Sequence, residues 1–257
     1  MRKIESLAEL SDRIKRHFVR GVATNNFLSS SALESEIQGG KLYASEQSGN
    51  LFILRNRTEH NILNFYITNT NDGITDIPAN TVAEIPYRER DNGLKNASAY
   101  LQNHGFELMF RRRRMSRKES HIDCTDTYVS PALPCELKHV YEIMFGNFDT
   151  RTACIPSGEG IQQAIVEQRI LVYRKNGIPV GLLHYNRTKN GTELRHLAVD
   201  SDYRDCGIGG ALVRYYLASV GGNSTVWVRC DNLPAVKVYE KYGYTADGMM
   251  SDVLITK

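Results

Sequence analysis

Two stretches of this 257-residue chain combine residue types and spacing able to do chemistry. The first is LRHLAVDSDYRDCGIGGALV, residues 194–213. An alternating segment ends at Val199, a turn carries Arg204, and Gly207, Gly209 and Gly210 fall where a helix begins. Glycine there lets the backbone take positive φ and lets a ligand come close. The N–H groups of a first helical turn have no partner within the helix and favour an anion. Arg204 adds a cation beside them, and pyrophosphate suits such a cradle. If the glycines only permitted a tight strand-to-helix turn, Arg204 and the third glycine would have no role. The second stretch is DNLPAVKVYEKYGY, residues 231–244. Asn232 fits a helix N-cap and Pro234 the first turn. Ala235 and Tyr239 share a face at i, i+4, and Gly243 ends the helix. A helical tyrosine is more often a core aromatic. Tyr239 stands out because it follows the glycine-rich turn.

Together these stretches resemble the GNAT superfamily of acyl-CoA-dependent N-acetyltransferases. RDCGIGG is similar to the family's R/Q-x-x-G-x-G/A loop, and NLPAVKVYEKYGY to its N-x-x-A-x-x-x-Y-x-x-x-G-F segment, with Tyr244 in place of Phe. Their order and separation fit, as do the elements over residues 131–257. The resemblance implies that amides of Asp205, Cys206, Gly207, Ile208, Gly209 and Gly210 hold the pyrophosphate of coenzyme A, with Arg204 alongside. It implies that Leu197, Ala198 and Val199 run beside the acetyl and pantetheine groups, one amide stabilising the oxyanion. Asn232 would contact the pantetheine arm, and Tyr239 would protonate the departing thiolate. Glu193, six residues before Val199, stands where several members keep a general base.

The chemistry agrees with these roles. An amine must be neutral to attack a thioester, so a base takes its proton, and the oxyanion needs preplaced N–H donors. Alternation puts Glu193 on one face with Arg195 and Leu197, where a glutamate opening a strand is as readily a solvated side chain as a base. His196, on the other face, reads as structural. Acetyl-CoA is then a cosubstrate, the acetyl group passes directly to an amine, and no metal takes part. A protein that binds coenzyme A without turnover, as a sensor or scaffold, is the alternative. The acceptor, a small-molecule or peptide amine, and the oligomeric state are not legible.

The elements that must position these residues alternate along the chain. An amphipathic helix opens it, and a short helix follows near residues 32–38. KLYASE, LFILRN, NILNFYIT and VAEIPYR read as strands, and residues 95–104 as a helix closed by Gly105. Residues 116–134 lack periodicity and form a candidate linker. Beyond it come two helices, a hairpin turning at Asn176–Gly177, the strand ELRHLAV, the helix GIGGALVRYYLASV, the strand TVWVRC, a second helix and a closing strand region. This predicts an α+β fold, a GNAT-type mixed, largely antiparallel sheet flanked by helices. The expected domains are residues 1–125, a degenerate GNAT-like lobe, and 126–257, the catalytic domain. The echo lies in TVAEIPYRERDNGLKNASAYLQNHGF, where Leu101 takes the place of Tyr239 and no R-x-x-G-x-G occurs.

Composition bounds the remaining classes. The net charge of +3 does not by itself indicate a nucleic-acid partner. RRRRMSRK at 111–118 reads either as a phosphate patch or, preferably, as a solvated basic strand edge. No apolar run is long enough for a membrane helix. Five cysteines without a C-x-x-C pair make a disulfide framework unlikely and suit a reducing cytoplasm. His121, Cys124, Cys135 and His139 have a spacing that zinc sites use, but two prolines between the pairs favour linker residues without metal. Cys206 reads as a loop residue rather than a nucleophile.

Overall fold

Local sequence sets most boundaries in the computed structural model, which describes residues 1–124 and 126–257. In chain order the elements are β1 (Arg2–Lys3), α1 (Leu7–His17), β2 (Ala23–Thr24), α2 (Ser30–Gln38), β3 (Leu42–Gln47), β4 (Asn50–Asn56), β5 (Asn61–Ile67), β6 (Thr81–Arg88), α3 (Asn92–Asn103) and β7 (Phe106–Arg117). There follow β8 (Val129–Pro131), α4 (Leu137–Asn147), α5 (Gly158–Val166), β9 (Ile170–Lys175), β10 (Ile178–Thr188), β11 (Gly191–Val199), α6 (Ile208–Val220), β12 (Ser224–Arg229), α7 (Leu233–Lys241) and β13 (Thr245–Thr256). Side chains of Ser6, Ser29, Asp91, Ser157 and Asn232 cap α1, α2, α3, α5 and α7. The expected hairpin turn is present, with Asn176 and Gly177 both at positive φ. No described helix is long and apolar enough to cross a membrane.

The chain forms two compact units, residues 1–112 with 248–257, and residues 113–247. A division at 125/126 and these units differ in their ends: all but the first three residues of β13 belong with the first unit, and the last residues of β7 with the second. In the first unit β3, β4 and β5 form an antiparallel meander, β6 joins β5 in parallel at Asn61↔Thr81 and Ile62↔Val82, and β13 pairs antiparallel with β6. Alternation along β4 feeds two cores. Leu51 and Ile53 pack with α1 and α2 residues, and Phe52 and Leu54 with α3 residues. No helix lies between β5 and β6.

In the second unit β8, β9, β10 and β11 are antiparallel neighbours, and β12 joins β11 in parallel. One face packs against α4 and α5 through Val140, Ile161, Val172, Leu182 and Ala198. The other packs against α6 and α7 through Leu183, Leu194, Leu212, Tyr216, Val236 and Tyr239.

Two sequence expectations are corrected. The linker is shorter than residues 116–134, because β7 continues to Arg117 and β8 pairs with β9. Nor is the arginine run a solvated edge, because four of its five arginines meet partners within their own unit. Arg111 pairs with Asp252 at 2.5 Å and Arg112 with Glu84 at 2.6 Å. Arg114 pairs with Asp247 at 2.7 Å, and Arg117 donates to the Tyr242 carbonyl. Charges paired in this way do not form a free phosphate patch.

Asp252 is the best buried of these partners, its side chain 3% exposed. Burial alone would raise its pKa, but hydrogen bonds from Arg111, Ser98 and Tyr87 hold it below the ordinary carboxylate value. Asp252→Ala should cost about 2–3 kcal/mol at pH 7 by urea denaturation, since it removes the buried acceptor that Arg111, Ser98 and Tyr87 share. A group with a lowered folded pKa stabilises above its unfolded value and loses that contribution as pH falls. The gap between wild type and variant should therefore narrow below about pH 4; a gap constant from pH 7 to 3 would contradict this.

Candidate active site

The site begins where two strands part. β11 keeps β10 as a neighbour from Gly191 to Val199, but its ladder with β12 covers only Thr192↔Ser224, Glu193↔Thr225 and Leu194↔Val226. Beyond Leu194 a wedge opens beside Leu197, Ala198 and Val199. A buried chain of hydroxyls pins its root: Thr192 Oγ1 meets Tyr216 OH at 2.5 Å, Tyr216 OH meets Ser224 Oγ at 2.8 Å, and Ser224 Oγ meets Tyr244 OH at 2.6 Å. Gly191 permits this closure, because a Cβ there would lie 2.0 Å from the Asn223 carbonyl oxygen. Sequence reading missed all five root residues; the one signal was Tyr244 standing where the resembling motif has Phe.

At the open end the chain makes a single 3₁₀ turn, Ser201–Tyr203, and then enters the glycine-rich loop. Asp205 and Gly207 both take left-handed conformations, φ 60 and 77. α6 starts without a side-chain cap, so its first N–H groups keep no such partner. Cβ atoms on Gly207 or Gly209 would meet nothing within 4 Å, so these glycines border open space. Arg204 folds back over the strand end, donating to Asn147 Oδ1 at 2.9 Å and to the Val199 carbonyl at 3.4 Å. No carboxylate pairs with it among the described residues. Uncapped amides, open space and an available guanidinium together fit a pyrophosphate. Cys206 is an exposed free thiol in this loop.

α7 lies against the same core as α6. Asn232 Oδ1 accepts from the Ala235 amide at 3.2 Å and so caps α7. Tyr239 is buried, its ring edge-on to Tyr244 at 5.6 Å. Its hydroxyl has no hydrogen-bond partner among the described residues. Burial, with Tyr216 nearby, pushes its pKa up and keeps the phenol protonated.

Glu193 is displaced from the position that alternation predicts. The β10–β11 register shifts between His184 and Tyr185: His184 faces His196, but Tyr185 faces Leu194. This β-bulge at Arg195 puts Leu194 and Leu197 on the same core, three residues apart. Glu193 is therefore on the opposite face from Leu197, opposite Asn186, and accepts from Arg195 at 3.2 Å.

On that face His184 and His196 are both 2% exposed and stacked, Nδ1 to Nδ1 at 3.1 Å. Their tautomers follow from their partners. Arg169 can only donate, and its Nη1 lies 3.4 Å from His184 Nε2, so His184 carries its proton on Nδ1 and donates to His196. His196 then donates from Nε2 to the Ala153 carbonyl at 2.9 Å. The bulge therefore puts His196 on the face of Glu193 and not on the other face as alternation predicts, and its two ring nitrogens are taken up by His184 and the Ala153 carbonyl. Burial, aided by its charged and histidine neighbours, lowers the His184 pKa to about 3. No group of three metal-ligating side chains lies close enough to hold a metal among the described residues.

A histidine with a lowered folded pKa binds a proton in the unfolded chain first. Its burial should therefore reduce stability as pH falls from about 6.5, with a slope approaching 1.4 kcal/mol per pH unit. His184→Asn, which keeps a donor toward His196, should flatten the decline between pH 6.5 and 5 in chemical denaturation. Parallel profiles for the two proteins would rule this out.

Comparison with known proteins points the same way as the geometry. The family model described as acetyltransferase (GNAT) domain matches residues 167–246. No curated protein matches the chain in sequence. Among solved structures, it is similar to a GCN5-related N-acetyltransferase from Sphaerobacter thermophilus, with a TM-score of 0.57, 13% identity and coverage of 89% of this chain and 85% of that one. A GNAT-family acetyltransferase from Colwellia psychrerythraea gives a TM-score of 0.56 at 14% identity, covering 99% and 98%. At such identities these likenesses speak for the fold. Residues 167–246, from before β9 to the start of β13, thus match the GNAT acetyltransferase domain, and the fold of the chain is similar to that of those two structures.

Proposed function

We propose that the protein is an N-acetyltransferase that moves the acetyl group of acetyl-CoA to a primary amine. The observation that carries this reading is the uncapped, glycine-bordered start of α6 at the open end of the β11/β12 wedge, with Tyr239 buried on the next helix. Acetyl-CoA would supply a thioester whose carbonyl an amine can attack. The amides from Asp205 to Gly210 would bind its pyrophosphate, helped by the helix dipole and by Arg204. The freed edge at Leu197, Ala198 and Val199 would offer backbone groups to the extended arm and to the carbonyl oxygen. The remaining Nδ2 of Asn232 would donate to the same arm. Glu193 would take the amine proton, directly or through water. The unpartnered phenol of Tyr239, kept protonated by burial, would hold the proton that the leaving sulfur needs.

The first unit would be catalytically empty. Its β5 passes to β6 through residues 68–80 with no helix to carry such a loop, and Leu101 on α3 is fully buried. Titration of the intact protein with acetyl-CoA should therefore find one site per chain. Gly209→Val, which fills open space without a packing clash, should weaken that site at least tenfold, about 1.4 kcal/mol. Two equivalent sites, or unchanged affinity in the folded variant, would overturn the assignment.

Tyr239→Phe retains the buried ring and removes only the hydroxyl. Loss of a general acid typically costs about 10²–10⁴-fold, so kcat should fall by that order while acetyl-CoA affinity holds. Wild-type turnover in single-turnover conditions would mean that the thiolate leaves without Tyr239.

A further inference from the structure

What holds Arg204 sets it apart from its neighbours in the second unit. Arg114, Arg169, Arg174, Arg214 and Arg229 each pair with a carboxylate, which spends their charge where they stand. Arg204 donates through Nη2 to the carboxamide oxygen of Asn147 at 2.9 Å and through Nε to the Val199 carbonyl at 3.4 Å. Both acceptors are neutral. They orient the guanidinium and leave its positive charge uncompensated, and its Nη1 has no acceptor among the described residues.

Asn147 is itself fixed from two sides. It is the last residue of α4, and its Nδ2 donates to the Ile143 carbonyl at 2.9 Å, one turn back. That bond decides which end of the carboxamide faces Arg204, because only the oxygen is then left to accept. The next residue, Phe148, lies edge-on to the His196 ring at 5.0 Å, and His196 Nε2 donates to the Ala153 carbonyl further along the same segment. The end of α4 is therefore pinned to β11 twice, at His196 and, through Arg204, at Val199. A helix C-terminus also carries partial negative charge, which favours a guanidinium without cancelling it as a carboxylate would. An arginine held in this way keeps its planar fork for phosphate oxygens.

We propose that Asn147 is a positioning residue that sets donor selectivity: it holds Arg204 at the open end of the wedge with its charge free, so that donors carrying a pyrophosphate are selected over donors that offer only the acylated arm. This rests on the reading of the α6 start as the pyrophosphate site. The test is calorimetric titration with acetyl-CoA and with S-acetylpantetheine, which keeps the thioester and the arm but has no pyrophosphate. Asn147→Leu should weaken acetyl-CoA about three- to tenfold, the worth of one hydrogen bond, and leave S-acetylpantetheine unchanged. A merely structural role would move both donors alike. Asn147→Asp keeps an oxygen for Arg204 but cancels its charge, and should weaken acetyl-CoA at least as much. In an Arg204→Met background, Asn147→Leu should have no further effect, because the two residues act as one unit. Wild-type acetyl-CoA affinity in either folded Asn147 variant, equal losses for the two donors in Asn147→Leu, or a further loss on top of Arg204→Met would overturn this role and leave the transferase standing. Acetyl-CoA affinity unmoved by both Gly209→Val and Arg204→Met would overturn the α6 site, and this inference with it.

Discussion

Parallel strands β11 and β12 share three residue pairs and then separate, and the position of that separation governs the rest of the site. A sheet loses backbone hydrogen bonds when it splays, so the parting must be stabilised elsewhere. Here the hydroxyls of Thr192, Tyr216, Ser224 and Tyr244 join both strands, a helix and β13's approach at the root of the wedge. Each is buried, and a buried hydroxyl left unpaired is costly, so the four hold one another in place. Tyr244 also presses on Tyr239, which ties the orientation of the proposed acid to the same root.

The anion-binding end works by omission. Among the described residues, five helices satisfy first-turn amides with a serine, aspartate or asparagine side chain. α6 begins instead at a left-handed glycine that has no side chain to offer. The same backbone chemistry that makes Asn232 a cap for α7 leaves α6 with donors to spare. Arg204, turned back toward Val199 and Asn147, puts its charge between that helix and the end of the splayed strand. Phosphate recognition of this kind needs little from side-chain identity and much from backbone course.

The other charged groups serve structure. Four arginines that looked like a patch are consumed along β7 by Asp252, Glu84, Asp247 and a backbone carbonyl. Partly buried charges cost solvation free energy unless paired, and their partners come from β6, β13 and the end of α7. The bulge at Arg195 does comparable work in β11. By flipping the alternation it sends Glu193 to the face that carries Asn186 and the histidine pair. It also lets Leu194 and Leu197 fill one core.

The sequence by itself determined what is local. Helix caps, the Asn176–Gly177 turn, the glycine-rich loop and the Asn232–Tyr244 segment depend on neighbours within a few residues, so their types and spacing suffice to place them. The mixed sheet could be read from the order of those elements, and the resemblance to the GNAT superfamily from the two motifs. Tertiary structure alone decided which residues meet across distance. The arginine run has the same spelling whether its charges meet solvent or carboxylates, and only the partners that folding supplies, Asp252, Glu84 and Asp247, tell the two apart. The face of Glu193 could not be read from alternation, because a bulge is a property of two paired strands. Thr192, Ser224 and Tyr216 carry no motif and matter only because the fold brings three hydroxyls to one buried point. Local preferences are written in adjacent residues. Pairing register and burial are written in contacts between residues far apart, and these exist only once the chain has folded.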